Sequence, residues 1–249
     1  MARNRLLKPG AVLLALLFWQ LLAMIIGNSI VIVGPLDVAK QLIKDVVTPV
    51  FWGSILFSFL RIFSGFMVAV ILGIVLASLS YAYKPMRILL WPYIAIIKST
   101  PVASSVILML IIFSSKNLSA FVTFLIVLPV IYSNILQGLI STDVKLIEAA
   151  KVFGTGFFKR IKFIYLPQLE PYILSATSAS IGMAWKAGTA AEVIGIPKGS
   201  IGERLYEAKI YLMTSEVFAW TAVIILASVL FEKIFIWALK FFYKRLWRS

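Results

Sequence analysis

The sequence predicts an all-α, membrane-spanning fold, and three observations predict it. Of its 249 residues, 61% are hydrophobic and the mean hydropathy is +1.00, well above the roughly 45–50% apolar content of a soluble domain. The apolar residues fall into long runs, and about 20 such residues in a helix cross a hydrocarbon core about 30 Å thick. The 24 Lys and Arg residues gather between alternate runs, the bias that orients a multi-pass chain.

Six transmembrane helices follow in order. The first, 11–33, lies behind a basic start containing Arg3, Arg5 and Lys8. Its apolar run is too long for a cleaved leader and no A-x-A-like site follows it, so it reads as a retained helix. The second, Ser54 to Ser80, carries Arg61 near its outer end. The third, Ile88 to Phe113, is interrupted by Lys98-Ser-Thr-Pro101, because proline removes a backbone donor and clashes with the preceding turn. Leu118 to Ile140, Tyr172 to Gly195 and Val217 to about Leu239 complete the set.

With a cytoplasmic N-terminus, fourteen Lys and Arg residues fall inside, six outside and four within spans. Both termini are therefore expected in the cytoplasm. The division is a basic N-terminus (1–10), a first helix (11–33), a five-helix core (50–240) holding a cytoplasmic loop (141–171), and a basic tail (241–249). The net charge of +14 then reflects topology and contact with anionic lipid rather than nucleic acid.

Cysteine and histidine are both absent. That excludes disulfides, thiolate or imidazole metal sites, and Cys-His or Ser-His nucleophile pairs. No G-x-x-x-x-G-K-[ST] loop is present to cradle a nucleotide. No aspartate lies within a span and no H-E-x-x-H can be written, which argues against an intramembrane protease. No internal repeat, the usual mark of a secondary carrier, is visible either.

The longest inside loop, Ser141 to Pro171, predicts two short helices. Asp143 is placed to cap the first, whose apolar face would hold Val144, Ile147 and Val152. Gly154-Thr-Gly156 permits a turn with positive φ. Phe157 to Tyr165 forms the second, and Leu166-Pro167 is expected to end it. Apolar residues kept on a cytoplasmic loop call for a partner or a lipid surface.

The spacing within this loop carries a resemblance. Glu148-Ala149-Ala150, three residues, Gly154, nine residues, Ile164, one residue, then Leu166-Pro167 resembles the EAA motif of ABC importer permeases, here too in the loop before the penultimate helix. The resemblance covers roughly residues 50–240 and implies the type I permease fold. It implies that the loop docks into a groove on a separate ATP-binding subunit, with Ala149 and Ala150 allowing close approach. Glu148 would offer a charge-assisted contact, and Gly154 would set the angle between the two helices. It implies ATPase subunits, an extracytoplasmic solute-binding protein and a second permease copy as partners. ATP is bound by the ATPase, so this chain needs no cofactor and catalyses nothing. The location implied is a bacterial-type inner membrane.

Three further stretches are similar to the nitrate/sulfonate/taurine-type branch. They are Met183 to Gly195, with Trp185, Lys186 and Glu192; Ser200-Ile-Gly202 with Ala219-Trp220-Thr221; and Lys98-Ser-Thr-Pro101-Val-Ala103. A positive residue in the path, Lys186, points toward an anionic solute such as a sulfonate or nitrate, the kind the resembled branch suggests, with a small heterocyclic vitamin precursor as the alternative and a secondary carrier behind both.

Charges inside the bilayer cost about 2.5–3.5 kcal/mol on insertion scales and face protein or a watery cavity. Lys186 and Glu192 are six residues apart, so they point about 120° apart on a helix and need separate partners. Two readings stand for Lys186, Glu192 and Lys98: they line the translocation path together with the break at Pro101, or they form buried structural pairs. Arg61 and Glu232-Lys233 are expected to snorkel. Small residues along the fifth helix suit close packing, including packing against a second copy. Trp19, Trp52, Trp91 and Trp247 suit an interfacial belt. Gly199 to Ser215 reads as a short amphipathic helix against the membrane on the outer side, either capping the bundle or serving as a gate or docking face.

Overall fold

A computed structural model describes residues 3–112 and 114–248, with side chains from Gly10 to Arg245. Phe113 and the side chains of Arg3, Arg5, Lys8 and Trp247, all named above, lie outside the described residues. Within them the chain is helical throughout, with no strand. The helices are α1 (Arg3–Ile26), α2 (Pro35–Val46), α3 (Pro49–Ala82), α4 (Lys84–Ser99), α5 (Val102–Ile112), α6 (Ser115–Ile140), α7 (Val144–Val152), α8 (Phe157–Arg160), α9 (Leu166–Gly195), α10 (Ile201–Ile210) and α11 (Thr214–Arg248). A π-helical turn, Ile161–Tyr165, joins α8 to α9.

Three helices, α3, α6 and α11, are long and apolar enough to cross a membrane. The pair α4 and α5 qualifies together but bends by 105° at its break. The described apolar stretch of α1, Gly10–Ile26, is shorter. α9, at 30 residues, has the length, but small and hydroxyl side chains dilute its hydropathy.

α6 is the axis of the bundle. It packs along its length on α3 and on α9, and 56% of its apolar window is buried, against 11% for α11. Close approach on the α3 side follows from a stripe of small residues, Ser58, Gly65, Ala69, Gly73 and Ala77, all buried. At Gly65 an added Cβ would strike the backbone of Ala120. Small residues let helix backbones approach where lipid supplies no hydrophobic drive between them. On the other side of α3, Phe59, Phe63 and Phe66 meet Phe231 on α11, at centroid separations of 5.6 to 5.7 Å. The phenylalanines thus build core, while the tryptophans divide. Trp52 and Trp91 are exposed, whereas Trp185 is buried.

The structure moves several expected boundaries. The first helix ends at Ile26, seven residues early, because Gly27 takes φ +62 and offers the chain a left-handed exit. The segment that follows holds an amphipathic helix, α2, with Pro35 in its first turn. Leu166-Pro167 does not stop the second loop helix. Pro167 follows directly on the π-helical turn, and α9 runs on through it. The Leu166 N–H bonds back to Ile161, a five-residue step that keeps the helix continuous. Glu232 accepts a hydrogen bond from Ser178 on α9 and so faces the bundle. Arg61 turns inward too, its guanidinium carbon 3.5 Å from the Phe57 ring centroid and its Nε donating to the Lys116 carbonyl.

Candidate functional site

The 141–171 loop is built from local rules. The Asp143 carboxylate accepts from the Lys145 N–H at 2.9 Å, an N-cap that starts α7. The helix closes in a full Schellman motif, with the Thr155 N–H on the Ala150 carbonyl at 2.8 Å and the Gly154 N–H on that of Lys151 at 3.0 Å. Gly154 supplies the φ of +61 that this closure needs. α8 then leaves in a new direction, and the Asp143 N–H donates to Gln168 Oε1 at 2.9 Å, which ties the loop's start to the foot of α9.

Of the motif residues, Glu148 and Ala149 are exposed on α7 and Ala150 is buried against its own chain. Ile164, Leu166 and Pro167 are half-buried where α9 begins. Around them stands an apolar surface that the spacing did not single out. Val152 and Phe153 are each 84% exposed and Phe158 is 83% exposed, with Phe157 edge-on to Phe158. The expected apolar face of α7 is mostly outward, since Val144 and Val152 are both exposed. The reason is short length: one wall of Ala150 and a half-buried Ile147 suffices to seat a nine-residue helix.

The charges of α4 and α9 separate into two environments. Glu192 is fully buried near the end of α9. Its Oε2 accepts from Ser58 Oγ on α3 at 2.6 Å and from the Gly202 N–H on α10 at 3.3 Å. Ser58 Oγ in turn accepts from the Ile201 N–H at 2.9 Å. Two orphan donors of the α10 N-terminus are thereby satisfied, and Ser200 caps the helix, its Oγ accepting from Glu203 N–H, while Glu203 accepts from Gly199 N–H just before the cap. Gly202 is obligatory at this contact, because a Cβ there would collide with the Glu192 backbone. Left-handed Ile196 and Leu212, φ 46 and 55, bracket α10, which packs on α9 and α11 and so caps the bundle.

Lys98 and Lys186 are exposed and apart from Glu192. Lys98 donates to Ser133 Oγ on α6 at 2.8 Å, beside a cavity between α4 and α6. Lys186 has no ion pair or side-chain hydrogen bond among the described residues. At the Thr100-Pro101 break the Ile96 carbonyl accepts from Ser99 Oγ, Thr100 Oγ1 and the Thr100 N–H, at 2.8 to 3.0 Å. Two hydroxyls and one backbone N–H of the break thus find an acceptor in the preceding turn. Pro101 itself is exposed.

Residues 69–248 match the family model described as the binding-protein-dependent transport system inner membrane component. The chain belongs to that family. Curated relatives include a putative aliphatic sulfonates transport permease protein, SsuC, of Bacillus subtilis, 27% identical over 90% of this chain and 80% of the relative. A taurine transport system permease protein, TauC, of Escherichia coli is 28% identical over 73% of this chain and 66% of that one. A probable ABC transporter permease protein of Brucella melitensis is 28% identical over 80% of both chains. Among solved structures, an amino acid ABC transporter crystallised with histidines shares the fold, with a TM-score of 0.61 and 19% identity, over 83% of this chain and 97% of that one. These relatives bear out the resemblance to the nitrate/sulfonate/taurine branch. The chain is thus an ABC importer permease subunit, a multi-pass membrane component and not itself a catalyst.

Proposed function

We propose that this permease forms, as a homodimer, the translocation path for a small anionic solute of the sulfonate, taurine or nitrate kind, and that α7 and α8 couple it to a separate ATPase. The observation that carries the coupling is the loop surface. A left-handed Gly154 sets two short helices at an angle, and they present Glu148 beside Val152, Phe153 and Phe158 to solvent. An apolar patch with one charge is what a docking face requires. ATP binding and hydrolysis then belong to the partner, and a solute-binding protein delivers from the outer side.

In this reading six segments cross the membrane, namely α1, α3, the bent pair α4 and α5, α6, α9 and α11, with both termini cytoplasmic. α9 crosses because it is packed against α6 over much of its length and carries a fully buried carboxylate at its outer end. Lys98, Lys186 and the break at Pro101 line the path. Glu192 stands behind it and anchors the outer helix. The relatives named for aliphatic sulfonates and taurine support the anionic class.

The test is a tagged purification from native membranes with mass spectrometry of whatever accompanies the chain. A stoichiometric P-loop ATPase is expected, absent when Glu148→Lys is purified. Glu148→Lys and Gly154→Pro should both insert and fold while solute uptake is lost. Normal uptake by either variant would remove the coupling assignment.

A further inference from the structure

The cavity between α4 and α6 has a chemistry of its own. It encloses about 250 Å³. One wall is the stripe Arg87, Trp91, Ile94, Ala95 and Lys98 of α4, spaced so that all lie on one helix face. The other comes from α6 and includes Ser133 and Gln137. Two cations and no carboxylate line it, and neither Arg87 nor Lys98 has an acidic partner among the described residues.

The donors are unequally used. An ammonium has three N–H groups, and Lys98 gives one to Ser133. Ser133 Oγ, having accepted that bond, keeps its own O–H to donate outward. The neighbouring Tyr132 hydroxyl is already engaged with Ser80 at 3.0 Å. At the Lys98 end the cavity therefore offers surplus donors and positive charge. Arg87 lies three turns away on the same face, about 16 Å along the axis, and Trp91 and Ile94 wall the space between them.

We propose that this groove is an oxyanion-binding site: Lys98 and Ser133 hold a sulfate-, sulfonate- or phosphate-type head group, Arg87 attracts it at the other end, and Trp91 and Ile94 accept an apolar tail. The inference rests on the anionic-solute reading above and adds Arg87, Ser133 and Trp91 to it. A lipid phosphate has the same head-group chemistry as a soluble anion, so the experiment separates the two sources.

The full-length chain is placed in phosphatidylcholine nanodiscs and titrated with radiolabelled sulfate and methanesulfonate. Saturable binding is expected, weakened at least about tenfold by Lys98→Met, the loss of a charge-assisted hydrogen bond. Arg87→Gln and Ser133→Ala should weaken it less, Lys98→Arg should retain it, and Lys40→Met should leave it unchanged. In parallel, discs containing phosphatidylglycerol are analysed by native mass spectrometry. Retention of that lipid that depends on Lys98, without sulfate or methanesulfonate binding, would keep the site and assign its ligand to the membrane. No binding of any probe, or binding that Lys98→Met leaves intact in a variant that melts like the parent, would overturn it. ATPase copurification does not depend on Lys98, so failure here is distinguishable from failure of the coupling reading.

Discussion

Glu192 shows what a single residue can hide from a sequence. As an ionisable group on an apolar helix it is conspicuous, yet its partners sit 134 positions earlier at Ser58 and across a turn at Gly202. Spacing along one helix excludes Lys186 as its mate but cannot supply the true ones, because they depend on how α3 and α10 fold onto α9. Lys98 is similar: the break beside it is legible from Pro101, whereas Ser133 and the groove depend on α6. The geometry predicts that Glu192→Leu leaves the Gly202 N–H unpaired, destabilising the permease by about 1–3 kcal/mol. Glu192→Gln should cost less, since an amide oxygen still accepts. Thermal melting in detergent checks the order, and equal losses would show that the hydrogen bonds do not hold α10. Gly202→Ala should cost at least as much as Glu192→Leu, because backbone rather than a flexible side chain stands in the way.

At the scale of elements, helices with strong local signals were legible and those fixed by neighbours were not. The turn at Gly154, the break at Pro101 and the outer amphipathic helix each announce themselves through glycine, proline or periodicity. α2 was absorbed into an outer loop because the first apolar run continues past Gly27 to Val33, and hydropathy does not see a left-handed cap. On α7 the exposed Val144 and Val152 agree with the reading that apolar residues on this loop call for a partner or a lipid surface, and in the proposed coupling that partner is the ATPase. The double substitution Phe153→Ser with Phe158→Ser should therefore leave melting unchanged while the ATPase no longer copurifies. A drop in melting temperature without loss of the ATPase would place these rings in the fold and not at the interface.

At the scale of the molecule, helix length and apolarity together mark three candidate crossings and one bent pair among the described residues, while the apolar runs of the sequence argue for six segments. In the proposed topology α9 is sheltered by α6, and a sheltered helix does not need to be oily, only closely packed. The chain contains no cysteine, so single cysteines report topology cleanly. Replacements at Lys84 and Lys145 should react with a membrane-impermeant maleimide only from the cytoplasmic side, and those at Lys44 and Lys198 only from the outside. Labelling of positions 145 and 198 from the same side would mean that α9 does not cross.

The π-helical turn at Ile161–Tyr165 makes α8 and α9 one helical rod. Its run from Phe157 to Gly195 is nearly 60 Å long at about 1.5 Å per residue, and the π-helical turn and Pro171 are the points at which such a rod yields most readily. Under the proposed coupling, a push on α8 from an ATPase would reach the far end as tilt or roll of that rod, where Glu192 grips α10. The drive shaft would then lie within the backbone, carrying a stroke from the docking loop to α10 without a relay of side chains.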